Sequence, residues 1–161
     1  MRALALLLIL AQACGSPCGP ASATVVRIID GDTVELDSLS RVRLLLIDTP
    51  EITDGKNDCY GVEAAELTST LLLGQVVQLA YDADECTDRY GRTLAYLKVG
   101  GVDVNAELVR EGAACVLSLG ATGARVEALA TAEAEARTGR VGMWGQCTRI
   151  SCASPAAKGS R

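Results

Sequence analysis

Residues Thr24 to Glu51 read TVVRIIDGDTVELDSLSRVRLLLIDTPE. Thr24 to Ile29 and Thr33 to Leu36 are β-branched runs on either side of Asp30-Gly31-Asp32, the pattern of two strands joined by a tight turn. Arg41 to Ile47 supplies a third, mostly apolar run and predicts a third strand. Three strands in succession without an intervening helix do not begin a βαβ sheet.

Downstream the period changes. After a polar loop from Thr49 to Cys59, apolar residues at Val62, Ala65, Leu67, Leu71 and Leu72 predict a helix over Val62 to Leu73, stopped by Gly74. Val76 to Tyr81 and Thr93 to Val99 read as strands separated by the polar loop Asp82 to Arg92, with Gly100-Gly101 as a turn. A short helix over Val104 to Glu111, an extended segment over Ala113 to Leu117 and an Ala/Glu/Arg-rich helix over Thr122 to Arg137 complete the pattern. The order predicts an α+β fold, a five-stranded OB-type β-barrel with about three packed helices. No internal repeat is visible.

Upstream, Arg2 precedes an apolar run from Ala3 to Ala13 that is broken by Gln12 and ends in small residues, the layout of a signal peptide and too short to span a bilayer as a helix. Two exits are readable, Ala11-Gln12-Ala13 before Cys14 and Ala21-Ser22-Ala23 before Thr24. Cleavage before Cys14, with lipid on that cysteine, leaves Cys18, Cys59, Cys86, Cys115, Cys147 and Cys152 as an even set, which favours a lipid-anchored form. Leu10 to Cys14 looks like a bacterial lipobox. The expected organisation is residues 1–23 as signal peptide or lipoprotein leader and short tether, 24–147 as one domain, and 148–161 as a polar, disordered tail. The expected location is outside the cytoplasm: secreted, periplasmic or tethered to the envelope through lipidated Cys14.

Composition removes whole classes of chemistry. The chain has no histidine and no C-x-x-C pair, which argues against zinc and excludes every histidine-based general base, triad or metal nuclease. Export permits disulfides, which accounts for seven cysteines in 161 residues. The formal net charge of -5 is not that of a chain attracted to nucleic acid through bulk charge. Polyanion binding must therefore be local, and carboxylates, arginines and tyrosines must carry any chemistry.

Asp30-Gly31-Asp32 alone is a turn. Its context is unusual, because Arg43-Leu44-Leu45-Leu46-Ile47-Asp48-Thr49-Pro50-Glu51 places an arginine, two carboxylates and a threonine at and beyond the end of an apolar strand. Arg43 and Asp48 fall on opposite faces of a regular strand, so both can serve one site only where that strand is strongly curved. Asp88-Arg89-Tyr90-Gly91-Arg92 adds three charges and an aromatic around a glycine just before a strand.

Together these segments, with YGVEAAE and NAELVREGAA, resemble the thermonuclease (staphylococcal nuclease) family from Thr24 to about Trp144. The resemblance implies a helix-decorated β-barrel that binds one Ca2+ and hydrolyses phosphodiesters of DNA and RNA, preferably single-stranded, to 3′-phosphate and 5′-hydroxyl ends. By it, Asp32 and Asp48 offer carboxylate oxygens and Thr49 its carbonyl to the calcium, a hard cation suited to oxygen ligands. Glu51 activates or orients the attacking water, and Arg43 and Arg92 clamp the scissile phosphate. Arg89 and Tyr90 contact substrate phosphate and base.

Two departures stand out. Cys115 to Gly120 lacks the tyrosines that flank the nucleotide in familiar members, which implies weaker single-strand binding. The cysteines are also additional to the type member: Cys59 with Cys86 and Cys147 with Cys152 are the expected bridges, and Cys115 a buried thiol. The expected oligomeric state is a monomer. The rival reading, a non-catalytic nucleic-acid or protein-binding OB module, is disfavoured because Asp32, Arg43, Asp48, Glu51 and Arg92 are all present.

Overall fold

The computed structural model describes residues 18–82 and 85–152. The signal-peptide reading of residues 3–13, Cys14 and the segment Ser154 to Arg161 lie outside the described residues.

Strand β1 (Ser22–Ile28) alternates inward Ala23 and Val25 with more exposed neighbours, and a register shift between Val25 and Arg27 leaves Val26 on the surface. It turns at Asp30-Gly31-Asp32 into β2 (Thr33–Leu36), and β3 (Val42–Leu44) pairs antiparallel with β2, Thr33 opposite Arg43. After α1 (Gly61–Leu72), β5 (Val76–Ala80) returns antiparallel beside β1, and β6 (Thr93–Val99) beside β5. Parallel pairing of β6 with β3, Arg43 level with Leu94, closes the five strands into a barrel. Closure leaves no edge among the five, and the inward Val25, Val34, Leu44, Val77 and Leu97 fill the interior. The expected α+β barrel with packed helices is the fold observed.

The third predicted strand is not continuous. It breaks at Leu45 and Leu46, where Leu46 takes φ 62°, and resumes as β4 (Ile47–Asp48), which pairs with β8 (Cys115–Val116) in a separate two-stranded sheet. A turn, not curvature, therefore brings Arg43 and Asp48 to one site. Asn105, fully buried in α2 (Val104–Arg110), holds this turn through Nδ2 to the Leu45 carbonyl (2.8 Å), while its Oδ1 accepts the Leu97 amide (3.2 Å). Asp103, in the short β7 (Val102–Asp103) that follows the Gly100-Gly101 turn, caps α2 by accepting the Ala106 amide.

Helix α1 buries Gly61, Ala64, Thr68 and Leu72, a stripe at helical spacing, whereas Val62 is 48% exposed. The stripe thus includes a glycine and a threonine that hydrophobicity alone did not mark. Helix α3 (Ala124–Gly139) packs on α2, and α4 (Met143–Gln146) closes a second apolar cluster with Tyr60 and Ile150.

The cysteine pairing differs from expectation. The bridges are Cys18–Cys86, Cys59–Cys147 and Cys115–Cys152, with Cα separations of 4.9, 5.9 and 5.9 Å. Cys59 precedes Tyr60, whose ring packs in the α4 cluster beside Cys147, and Cys115 faces Met143 and Cys152 in that same cluster. Cys86 lies instead by the N-terminal segment, where Tyr81 donates to the Pro20 carbonyl at 2.7 Å. Six cysteines thus make three pairs. Cys18 and strand residues Ser22 and Ala23, which the composition assigned to a tether, are attached to the barrel, as is Cys152 of the expected tail.

Candidate active site

The β1–β2 turn and the chain after β4 meet face to face. Thr68 of α1 donates its hydroxyl to the Gly31 carbonyl (2.6 Å), fixing the turn from behind. On the other side the Thr49 amide donates to Asp32 Oδ2 (2.8 Å), and a Cβ on Gly31 would lie 2.8–2.9 Å from the Thr49 side chain. Only a glycine admits that approach.

Arg43 lies between the two loops. Its Nη1 donates to the carbonyls of Leu44 (2.6 Å) and Ile47 (2.7 Å), spanning the break in the strand, and its Nη2 contacts Asp32 Oδ2 (3.0 Å) and Asp48 Oδ1 (2.9 Å). The guanidinium is 9% exposed and joins two carboxylates from different elements.

Glu51 follows on the same loop. Its Oε1 accepts the amides of Ile52 (3.1 Å) and Thr53 (2.9 Å) and the Thr53 hydroxyl, so one oxygen is held and Oε2 stands outside that set. Partial burial raises its pKa, but the Thr53 bonds and the charge of Lys56 outweigh this and hold the carboxyl below its usual range. The backbone is secured too, since Glu51 and Asp58 exchange amide bonds.

Arg92 arrives from the loop before β6. Asp88 organises that loop: its carboxylate accepts the amides of Tyr90 (2.9 Å) and Arg92 (3.0 Å) and Arg92 Nε (2.7 Å). Gly91 takes the positive φ the turn requires, 75°.

Asp30, Asp32, Arg43, Asp48, Thr49, Glu51 and Arg92 line a single cavity of about 120 Å³. The structure therefore gathers six of the eight predicted site residues. Tyr90, 68% exposed, borders an adjoining groove, with Arg89 (4.8 Å) and Arg92 (5.5 Å) over its ring. Arg89 bonds the Tyr90 hydroxyl at 2.7 Å and lines none of the hollows here. A third hollow of about 190 Å³, walled by Leu44, Leu46, Leu117 and Leu119, opens beside Arg43 and Arg92.

Asp30 was missed from the sequence, although Asp-x-Asp was its signal. It is 6% exposed, and burial, reinforced by the charges of Asp32 and Glu51, pushes its carboxyl up to about 7. Asp88, Thr53, Thr68 and Asn105 were missed as well, because each acts by holding a neighbour.

The cavity's donors are all oxygens, from four carboxylates and one threonine, against two guanidinium groups. Such a set suits a hard divalent cation and not zinc or copper. Among the described residues no group of three acidic, cysteine or histidine side chains is placed to hold a metal ion by itself.

Fold and site define a class: a closed five-stranded OB-type barrel whose strand ends present carboxylates bridged by buried arginine. The model of the staphylococcal nuclease homologue family matches residues 41–146, and the chain belongs to that family. Among curated relatives, the thermonucleases of Staphylococcus hyicus and Staphylococcus intermedius are 42% and 43% identical over 56% of this chain and 56% of their own. Endonuclease YncB of Bacillus subtilis (strain 168) is 34% identical over 75% of this chain and 60% of its own. The chain thus spans a little over half the length of these relatives.

Proposed function

We propose that this protein is a calcium-dependent nuclease that hydrolyses phosphodiester bonds of DNA and RNA, leaving 3′-phosphate and 5′-hydroxyl ends. The observation that carries the reading is the single cavity in which Asp32, Asp48, Thr49 and Glu51 face Arg43 and Arg92. The names of the relatives, thermonuclease and endonuclease, support it.

Asp32 and Asp48 would hold the calcium with the Thr49 carbonyl, and when bound the ion polarises the phosphate and offsets its charge. Glu51, ionised and anchored through Oε1, orients or deprotonates a water for in-line attack. Arg92 presents forked donors to the phosphate as charge grows in the transition state. Arg43, which bridges Asp32 and Asp48, would offer the same forked donors to a phosphate in the cavity. The leucine-walled hollow beside both arginines receives a base, and single strands, whose bases are free to enter it, are the preferred substrate.

The same reading makes the protein an exported monomer tethered through lipidated Cys14. Cleavage after Ala23 would remove Cys18 and two residues of β1 and leave Cys86 without its bridge, whereas cleavage before Cys14 keeps all three bridges. Intact mass of the protein from the native host tests this: a diacyl-modified Cys14 terminus is expected, and a Thr24 terminus refutes it.

The activity test is cleavage of single-stranded DNA and RNA with calcium or chelator, beside Glu51→Gln and Arg43→Ala, with end groups determined. Calcium-dependent cleavage leaving 3′-phosphates, lost in both variants of confirmed fold, is expected. Inert wild-type protein with its bridges intact would reduce the chain to a binding module.

A further inference from the structure

The larger groove beside the cavity belongs to no step above. It measures about 360 Å³, three times the cavity's 120 Å³, and shares Asp30, Glu51 and Arg92 with it. Its remaining wall is Ile29, Thr33, Arg41, Thr53, Asp54, Lys56 and Tyr90. The leucine hollow adjoins the cavity through Arg43 and Arg92, the groove through Asp30, Glu51 and Arg92, so the three form one track with Arg92 on every wall.

Among the described residues the cations outside any ion pair are Arg41, Lys56, Arg89, Lys98, Arg140 and Arg149. Arg41 and Lys56 both line this groove, and Arg89 sits over the ring of Tyr90, which lines it too. In a chain of formal charge -5, unpaired cations at the exit of a catalytic cavity are a local attraction for anions. Arg41 and Lys56 are exposed, so a bound phosphodiester meets them without the desolvation cost of a buried charge. Of the three acids in the groove, Asp30 and Glu51 are shared with the cavity, and Asp54 is exposed.

Resting on the nuclease reading, we propose that this groove is a second phosphate subsite, in which Arg41 and Lys56 hold the phosphodiester next to the scissile one, with Tyr90 beside its sugar or base. The site then selects strands over dinucleotides: a strand engages hollow, cavity and groove together, a dinucleotide only the first two. Affinity for internal bonds rises.

The test uses the oxidised full domain as wild type, Arg41→Gln, Lys56→Gln and the double variant, with circular-dichroism melting to confirm the fold. Cleavage of a thymidine dinucleotide, which has no phosphate beyond the scissile one, is compared with that of a twelve-nucleotide single strand. Anisotropy of the labelled strand with chelator reads binding without turnover. For the double variant, Kd for the strand in chelator should rise about tenfold, the scale of two exposed charge contacts. The slope of log affinity against log salt should fall by about 0.7 per lost contact. For Arg41→Gln, kcat and dinucleotide cleavage should stay within about twofold of wild type; Lys56 also lowers the pKa of the Glu51 carboxyl, so Lys56→Gln and the double variant are compared with wild type by strand binding in chelator. Equal losses on both substrates in Arg41→Gln, or none on the strand, overturn the subsite. Wild type that cleaves neither substrate but binds the strand more tightly than the double variant overturns the nuclease reading and leaves the subsite standing.

Discussion

Replacing Arg43 by alanine should expose how much of the site is held by one cation. The side chain is 11% exposed and faces Asp32 at 7% and Asp48 at 31%, while its second nitrogen caps the carbonyls of Leu44 and Ile47. Removing one partner of a buried ion pair costs about 3–5 kcal/mol, and the part-exposed Asp48 moves the expectation to the lower end, about 3 kcal/mol. Arg43→Lys keeps the charge but cannot reach four acceptors, and should lose about 1–2 kcal/mol through its abandoned carbonyl contacts. The alanine variant also frees two carboxylates for a cation. If calcium binds it tenfold more tightly, saturating calcium returns about 1.4 kcal/mol more stability than it adds to wild type. Urea unfolding followed by the fluorescence of Trp144, the one tryptophan, measures all of this in chelator and in calcium. A loss below about 1 kcal/mol in chelator, or equal stabilisation by calcium in variant and wild type, would refute the idea that Arg43 stands where the cation's charge is needed.

Four further outcomes follow from contacts behind the site. Thr68→Val keeps the shape but strands the buried Gly31 carbonyl, so unfolding free energy should fall by about 1–3 kcal/mol and calcium should bind more weakly; unchanged calcium affinity would show that the turn is held without it. Gly31→Ala drives a Cβ into Thr49 and should cost about 1–3 kcal/mol in denaturant titration, unless the two loops can part. Thr53→Val removes one bond to a charged oxygen of Glu51 while leaving two amide bonds. Its kcat should fall about tenfold with KM little changed, Thr53→Ser should restore it, and a pure KM effect would assign Thr53 to binding instead. The bridge joining Cys18 to Cys86 spans 68 residues, so replacing both cysteines by alanine should lower stability by about 4 kcal/mol on the loop-entropy model. Turnover should fall with it, because the bridge anchors the segment that leads to Asp88 and Arg92; a stable variant of normal kcat contradicts this.

Most of the membership of the site was legible in the sequence, because five segments in order resemble the thermonuclease family. Asp32, Arg43, Asp48, Thr49, Glu51 and Arg92 were named through that resemblance and share one cavity. Arg89 was named too and faces solvent on Tyr90, since a turn residue's direction depends on how Asp88 folds its loop. Asp30 was passed over because Asp-Gly-Asp reads the same in any tight hairpin turn; the turn that carries it is held at Gly31 by Thr49 and by Thr68 of α1, residues distant in sequence.

By itself the sequence determined the local elements: β-branched and apolar runs bounded by turn signals marked β1, β2, β5 and β6, and glycine stops marked helix ends, because these preferences act over a few neighbouring residues. Tertiary structure alone decided three other things. A leucine at positive φ has no sequence signature, so the break at Leu46 exists only because the closing β3–β6 pair, Asn105 and Arg43 hold the chain on both sides of it. Cysteine spacing carries no connectivity, so the pairing followed from which segments the barrel and α4 placed within reach. The union of two loops into one acidic, arginine-bridged cavity likewise required barrel closure, since Asp32 and Thr49 meet only when the strands between them have curled back on the first.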